Sequence, residues 1–410
     1  MLKIVGGVYQ EICNEPSWQQ LFGSGGRAAA ALGELSGHNK ISLTTYIAYK
    51  DQATLEALAA TYGFEVDPKS IDGTVSFHYQ HGLSEPHIRP AVQLIPKSEP
   101  LVVDSPNVLR FGLIEGDAIV QGDNVVYDPQ SSYNPRPFHE NGSSAGKLAI
   151  VANFPECVAL AKNKYAGTEI DELGKAVLAE EGAEIVVIKR GSLGATVVTA
   201  GGIKTVPAYR TQRVWPIGSG DVFAAVFAYH WAIEEADPVD AARIASLSTA
   251  YYCENMSLPI PQDISETFSA KPLIAKPDKF PLSNNRLYLA GPFFTMAERW
   301  MIEQCRKQLL KQGFNVFSPF HDVGIGEASV VVPTDIESIT KSDLVFAVLD
   351  GLDSGTLFEI GYAKAINKPV VAFVQNETHE SLKMLEGTHC EIVDDFVSAI
   401  YRATWAAMDL

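Results

Sequence analysis

Little in this chain points away from a reducing, aqueous setting. Its five cysteines (Cys13, Cys157, Cys253, Cys305 and Cys390) are scattered, odd in number and form no CxxC pair, which argues against a disulfide framework and a structural zinc site. The nine histidines show no HExxH spacing, so no metal is expected to be tightly bound by the protein. No apolar run approaches the ~18 residues of a membrane span. The opening MLKIVGGVYQ is too brief for a signal peptide and lacks its cleavage pattern. Positive charge is scarce: 32 Lys and Arg stand against 49 Asp and Glu, for a net charge of −17. An acidic surface repels phosphate polymers and anionic membranes, which disfavours both as partners. It leaves small nucleosides and nucleotides open, because a local site holds a small ligand. A cytoplasmic location is expected. No GxSxG elbow or Cys–His pairing suggests covalent chemistry of those kinds.

What is present is an ordinary globular composition, 46% hydrophobic and 20% charged, long enough for two or three domains. KIVGG, LAIVANF, EIVVIKR and ATVVTA read as strands. The Ala-rich run Gly26–Leu35 and the stretch Asp221–Glu235 read as helices. Such alternation predicts an α/β fold with a largely parallel central sheet. Between 269 and 285 the sequence becomes SAKPLIAKPDKFPLSNN, whose prolines and lysines suggest a semi-rigid linker. The expected layout is therefore a first domain over 1–268, a linker over 269–285 and a smaller domain over 286–410.

The smaller domain repeats strand and helix: RLYLA, a helix over Glu298–Gln312 closed by Gly313, FNVF, a helix starting near Asp335 with Thr334 as its cap, the buried strand DLVFAVLDG, a helix over Gly355–Asn367, and KPVVAFVQ. This order predicts a doubly wound sheet whose ligands sit beyond the carboxyl ends of the strands. Asp353 follows DLVFAVLDG in that loop zone, and Glu359 lies six residues on, in the next helix. The intervening Ser354, Gly355 and Thr356 allow a tight turn. Asp335 would reach the same crevice from a neighbouring strand end. Clustered carboxylates are what cleavage of a glycosidic bond requires: one attacks the anomeric carbon while another serves the departing group. Singly, each of these acids is as well explained as a helix cap.

YLAGPFF (Tyr288–Phe294), TDIESITKSDLVFAVLDG (Thr334–Gly351) and DSGTLFEIGYA (Asp353–Ala363) resemble the nucleoside 2-deoxyribosyltransferase family. The resemblance covers residues 286–410 and implies a Rossmann-like, flavodoxin-like domain that needs no cofactor. It makes Glu359 the nucleophile, gives Asp335 and Asp353 to the base and its proton, and lets Tyr288 orient the nucleophile. Gly291, Phe293 and Ser354 would complete the substrate site. It also implies a homo-oligomer whose neighbouring subunit closes each sugar pocket, through a variable region near Glu377–Gly387.

In the first domain, WPIGSGDVFAAVFAYHW places Gly218, Ser219, Gly220 and Asp221 just before a helix. Small residues let backbone N–H groups converge on an anion, and Asp221 could take a proton from an attacking hydroxyl. A Gly-Asp pair before a helix is equally a routine cap. Upstream, IVANFPE carries Asn153 and Glu156 in an N-x-x-E arrangement, followed by the strand, turn and strand of IVVIKRGSLGATVV. The pair Lys189-Arg190 at that strand's end reads as solvated or nucleotide-facing. In this order the elements resemble the ribokinase-like (PfkB) sugar and nucleoside kinase family, over about 1–265. The resemblance implies ATP and Mg2+ for an active kinase-like domain. Gly218, Ser219 and Gly220 would form an anion hole, Asp221 the base, and Asn153 and Glu156 would act near the metal. The front departs from that family: only Glu11 stands for its early acid, no Asn follows Gly25-Gly26, and the segment that would form a lid looks short. The first domain is thus expected either to phosphorylate a sugar or nucleoside or to sense a nucleotide without turnover.

Overall fold

The computed structural model describes residues 1–36, 41–131, 134–162, 165, 167, 169–274 and 281–410. The chain divides into two compact units: Met1–Thr211 with Trp215–Pro272, and Leu273–Leu410 with Gln212–Val214. Of the expected linker, residues 275–280 lie outside the described residues. Its flanks are not loose: Tyr209 and Pro272 form a β-bridge, Leu282–Asn284 forms a 3-10 turn, and Leu273 and Leu282 are buried. The prolines mark an extended path, while Leu273 and Leu282 bury apolar surface.

The first unit is built on a ten-stranded sheet. Its path runs Gly202–Val206, Ala195–Thr199, Ile185–Lys189, Ser144–Asn153, Ala118–Asp128, Asn107–Phe111, Leu2–Val5, Ile41–Ala48 and Glu65–Ile71, with Leu101–Asp104 also pairing to Ala118–Asp128. All pairings are parallel except the two at the Gly202–Val206 end. Central strands such as Ile185–Lys189 are buried along nearly their whole length, the consequence of helices on both faces of a parallel sheet. Helix Gly23–Ala31 is buried at every residue, and Ser219–Ala232 at ten of its fourteen. Helices buried on nearly all sides lie inside the core, where their few polar side chains need partners.

A second, four-stranded sheet pairs Trp18–Leu21, Gln10–Glu15, Ser76–His81 and His87–Arg89. Its strands were missed because their residues are mixed and mostly half-exposed, leaving no apolar run to read.

The second unit carries five parallel strands in the order Asn315–Phe317, Arg286–Ala290, Leu344–Val348, Val370–Phe373 and Glu391–Val393. In chain order this is 2-1-3-4-5, the flavodoxin-like winding, whose switch point lies between the first and third strands. The helix Met296–Gln312 starts on a capping box between Thr295 and Glu298 and ends at Gly313 in the left-handed region. One boundary differs from expectation. The helix carrying Asp335 spans Ala328–Lys341 with Glu327 at its N-cap, so Thr334 and Asp335 lie in its middle. Thr334 Oγ1 donates to the Val330 carbonyl at 3.1 Å and caps nothing. Pro333 sits inside this helix, where a proline more often marks the start, which makes Pro333-Thr334 look like a beginning.

Candidate active sites

The second unit's acids converge at the switch point. Tyr288 lies on the first strand, paired with Val345 of the third, and is fully buried. Its hydroxyl donates to Glu359 Oε1 at 2.5 Å. Burial pushes the Glu359 carboxyl up to about 7; the Tyr288 hydroxyl opposes this, and the charges of Asp335 and Asp353 add to it. Asp335 and Asp353 therefore both lie within electrostatic reach of Glu359, although Asp335 comes from mid-helix. Burial also raises the Asp335 carboxyl, and its Oδ1 is buried without a hydrogen-bond partner. Asp353 has a structural job as well: Oδ2 accepts from the Thr356 N–H at 2.8 Å and hydroxyl at 2.9 Å, capping helix Ser354–Ala365. Burial and the facing Glu359 raise the Tyr288 phenol well above its ordinary value, so it remains a donor.

The remaining residues expected here are placed as follows. Ser354 is exposed at the first turn of the Glu359 helix. Phe293 is half-buried, with its ring against Phe294 at 5.3 Å and Phe320 at 5.4 Å. Gly291 follows the first strand with φ +156, and a Cβ there would lie 2.7 Å from Ile302 Cδ1 and 3.1 Å from Val348 Cβ. Gly291→Ala is accordingly expected to destabilise the second unit by ~1–3 kcal/mol, read as a lowered Tm for that transition.

In the first unit, a cavity of about 190 Å³ is lined by Tyr9, Glu11, Gly23, Ser24, Phe77, Tyr79, Gln130, Gly218, Gly220 and Asp221. The four-stranded sheet supplies Glu11, Phe77 and Tyr79; the start of helix Ser219–Ala232 supplies Gly220 and Asp221. Gly218 has φ +78, a turn that a side chain would resist. Asp221 and Glu11 both pair with the buried Arg27, a residue that sequence reading did not single out. A lone arginine heading a run of four alanines was the available signal, because a buried cation requires counterions.

Asn153 and Glu156 bond to each other's backbone. Asn153 Oδ1 accepts from the Glu156 N–H at 2.9 Å and Glu156 Oε2 from the Asn153 N–H at 2.8 Å, a reciprocal capping box on helix Phe154–Leu160. Lys189 is mostly buried and pairs with Asp128, so it is not solvated. Burial raises the Asp128 carboxyl, with Lys189 opposing, and Asp128 Oδ1 has no partner. Among the described residues no group of three or more His, Cys, Asp or Glu side chains could hold a metal ion.

Comparison with known proteins agrees with the two units. Residues 120–262 match the family model for pfkB family carbohydrate kinases, and residues 287–394 match that for nucleoside 2-deoxyribosyltransferases. The chain joins a PfkB-family domain to a nucleoside 2-deoxyribosyltransferase-family domain. No curated protein matches it in sequence. Among solved structures it is similar to a ribokinase from Giardia lamblia (14% identity, TM-score 0.49, covering 65% of this chain and 99% of that one). A ribokinase from Thermotoga maritima gives 16% identity and a TM-score of 0.46 over 65% and 98% of the two chains. A fructokinase from Vibrio cholerae, in a form with fructose, ADP and calcium ion bound, gives 14% and 0.46 over 65% and 97%. Among the described residues, no helix is long and apolar enough to cross a membrane.

Proposed function

We propose that the deoxyribosyltransferase-family domain cleaves the N-glycosidic bond of a nucleoside or nucleotide with Glu359 as nucleophile. The observation that carries this reading is the 2.5 Å hydrogen bond from buried Tyr288 to Glu359 at the strand switch point. That contact fixes one carboxylate oxygen and leaves the other for the anomeric carbon. The bond from Glu359 to that carbon forms as the bond to the base nitrogen breaks. Asp335, its carboxyl raised by burial, supplies the proton the departing base needs. Attack by a second base, or by water, then releases the sugar from Glu359. No cofactor enters these steps. The exposed Phe294, Met296, Trp300 and Phe358 suit an assembly in which a second copy covers this domain's site, with light scattering of the purified chain as the check. Free, mostly buried cysteines suit a reducing cytoplasm.

The PfkB-family domain has two readings: phosphorylation of a sugar or nucleoside using ATP and Mg2+, or ligand binding without turnover. The buried Arg27 paired to Asp221 favours the second. The test of the glycosidic reading is incubation of the full chain with a panel of nucleosides and nucleotides, following free base by chromatography. Base release is expected for at least one substrate. A new nucleoside on adding an acceptor base marks transfer, and free sugar marks hydrolysis. Absence of base release across the panel would overturn the reading.

A further inference from the structure

Two carboxylates at the kinase-like cavity share one cation that has no contact with water. Arg27 is fully buried. Its Nη1 donates to Glu11 Oε1 at 3.1 Å and to Asp221 Oδ2 at 3.0 Å, and its Nη2 donates to Glu11 Oε2. Gln130 Nε2 donates to the other Asp221 oxygen at 2.5 Å. A Cβ on Gly218 would lie 2.1 Å from Arg27 Nε, so the guanidinium sits directly beneath the first glycine of the Gly218–Asp221 loop. Glu11 and Asp221 thus spend both of their oxygens inside the protein.

That arrangement bears on phosphoryl transfer. In such a transfer the acceptor's oxygen bonds to the γ-phosphorus of ATP and the bond from that phosphorus to ADP breaks. The hydroxyl proton goes to a base, and Asp221 stands where that base would be. Taking the proton would strip Asp221 of the charge to which Arg27 is bonded, leaving a desolvated guanidinium with one counterion in place of two. The surroundings also disfavour a phosphate. Glu115 and Asp221 both act on Tyr9 at the cavity wall, and Asp128, Glu156 and Asp221 all face Lys189, the cation paired with Asp128. Acids outnumber cations around the loop.

The cavity is nevertheless built to hold something. The rings of Tyr9, Phe77 and Tyr79 line it, offering faces on which a flat ring can stack. Ser24 lines it too, and its Oγ is buried without a hydrogen-bond partner, an unmet polar group that a ligand hydroxyl would satisfy.

We propose that Arg27 makes this cavity a site that binds an uncharged, hydroxyl-bearing ring compound, a nucleoside or free sugar, without passing phosphate to it. The proposal rests on reading Asp221 as the base position of the PfkB-family domain. It predicts that the full chain, given ATP and Mg2+, forms ADP at the same rate with and without ribose, 2-deoxyribose, adenosine or thymidine. On Glu359→Ala protein, which cannot consume a nucleoside, calorimetry should detect binding of at least one of these four probes. Ser24→Leu should weaken that binding by roughly tenfold or more. Arg27→Asn, confirmed folded by circular dichroism, should gain acceptor-dependent ADP formation of roughly tenfold over wild type, and a further Asp221→Asn change should remove the gain. Arg27→Lys keeps a cation but cannot span both carboxylates, and it serves if the asparagine variant does not fold. Wild-type transfer of phosphate to any probe that disappears in Asp221→Asn would overturn the proposal. So would a folded Arg27 variant with no gain, or binding indifferent to Ser24→Leu. Failure of the glycosidic reading shows up separately, as absence of base release by wild-type protein.

Discussion

Glu359→Ala is expected to lower base release by roughly a thousandfold or more while leaving the second unit folded. Asp353 is committed to its helix cap, and Asp335 reaches Glu359 from a separate helix. A well-folded Glu359→Ala protein with full glycosidic activity would end the assignment. Glu359→Gln asks a sharper question, because it keeps an oxygen to accept the Tyr288 hydroxyl and changes only the charge. In the folded chain this carboxyl is pushed up to about 7 against an ordinary 4.5. Between those values the folded chain keeps a proton that the unfolded chain has lost, so stability falls as pH rises from about 4.5 through about 7. The glutamine variant escapes that loss. It should be inactive yet more stable than wild type at pH 8 by roughly 1–2 kcal/mol, with the gap closing towards pH 4.5. Denaturant unfolding at the two pH values checks both halves. A variant less stable than wild type at pH 8 would mean that the ionised acid is well solvated and not held in readiness.

Such a trade, stability given up at one acid, was legible only in part before the fold was known. The parallel sheets were readable because strands such as DLVFAVLDG are unbroken apolar runs, which only a sheet covered on both faces tolerates. Glu359 and Asp353 were legible together because six residues of one loop and helix separate them. The contact between Tyr288 and Glu359 spans 71 residues, and no local rule encodes it; the family resemblance alone suggested it. Where local signals misled, the chemistry of caps was responsible. Pro333-Thr334 has the composition of a helix start but sits inside one. Asn153 and Glu156 have the spacing of a phosphate-site pair and of a capping box at once; the box forms through Asn153 Oδ1 and Glu156 Oε2 and leaves Glu156 Oε1 outside it. Arg27 was hidden for a different reason: its partners lie 16 and 194 residues away. Only its position among buried alanines hinted that counterions had to exist.

The pH profile of base release tests the same acid from the side of catalysis. Attack on the anomeric carbon requires an ionised Glu359, so kcat/KM should rise about tenfold per pH unit below a midpoint near 7, and the need for a protonated Asp335 bends it down again at higher pH. Tyr288→Phe removes the hydrogen bond that holds that carboxyl down, leaving burial and the charges of Asp335 and Asp353 to raise it. The midpoint should therefore move up, with activity at pH 7 reduced by roughly tenfold or more. Asp335→Asn removes a charge that raises Glu359 and should move the midpoint down, even as it costs activity through the departing base. A tyrosine that served only as packing would lower activity equally at every pH. An unmoved midpoint in Tyr288→Phe would therefore separate the hydrogen bond from the chemistry.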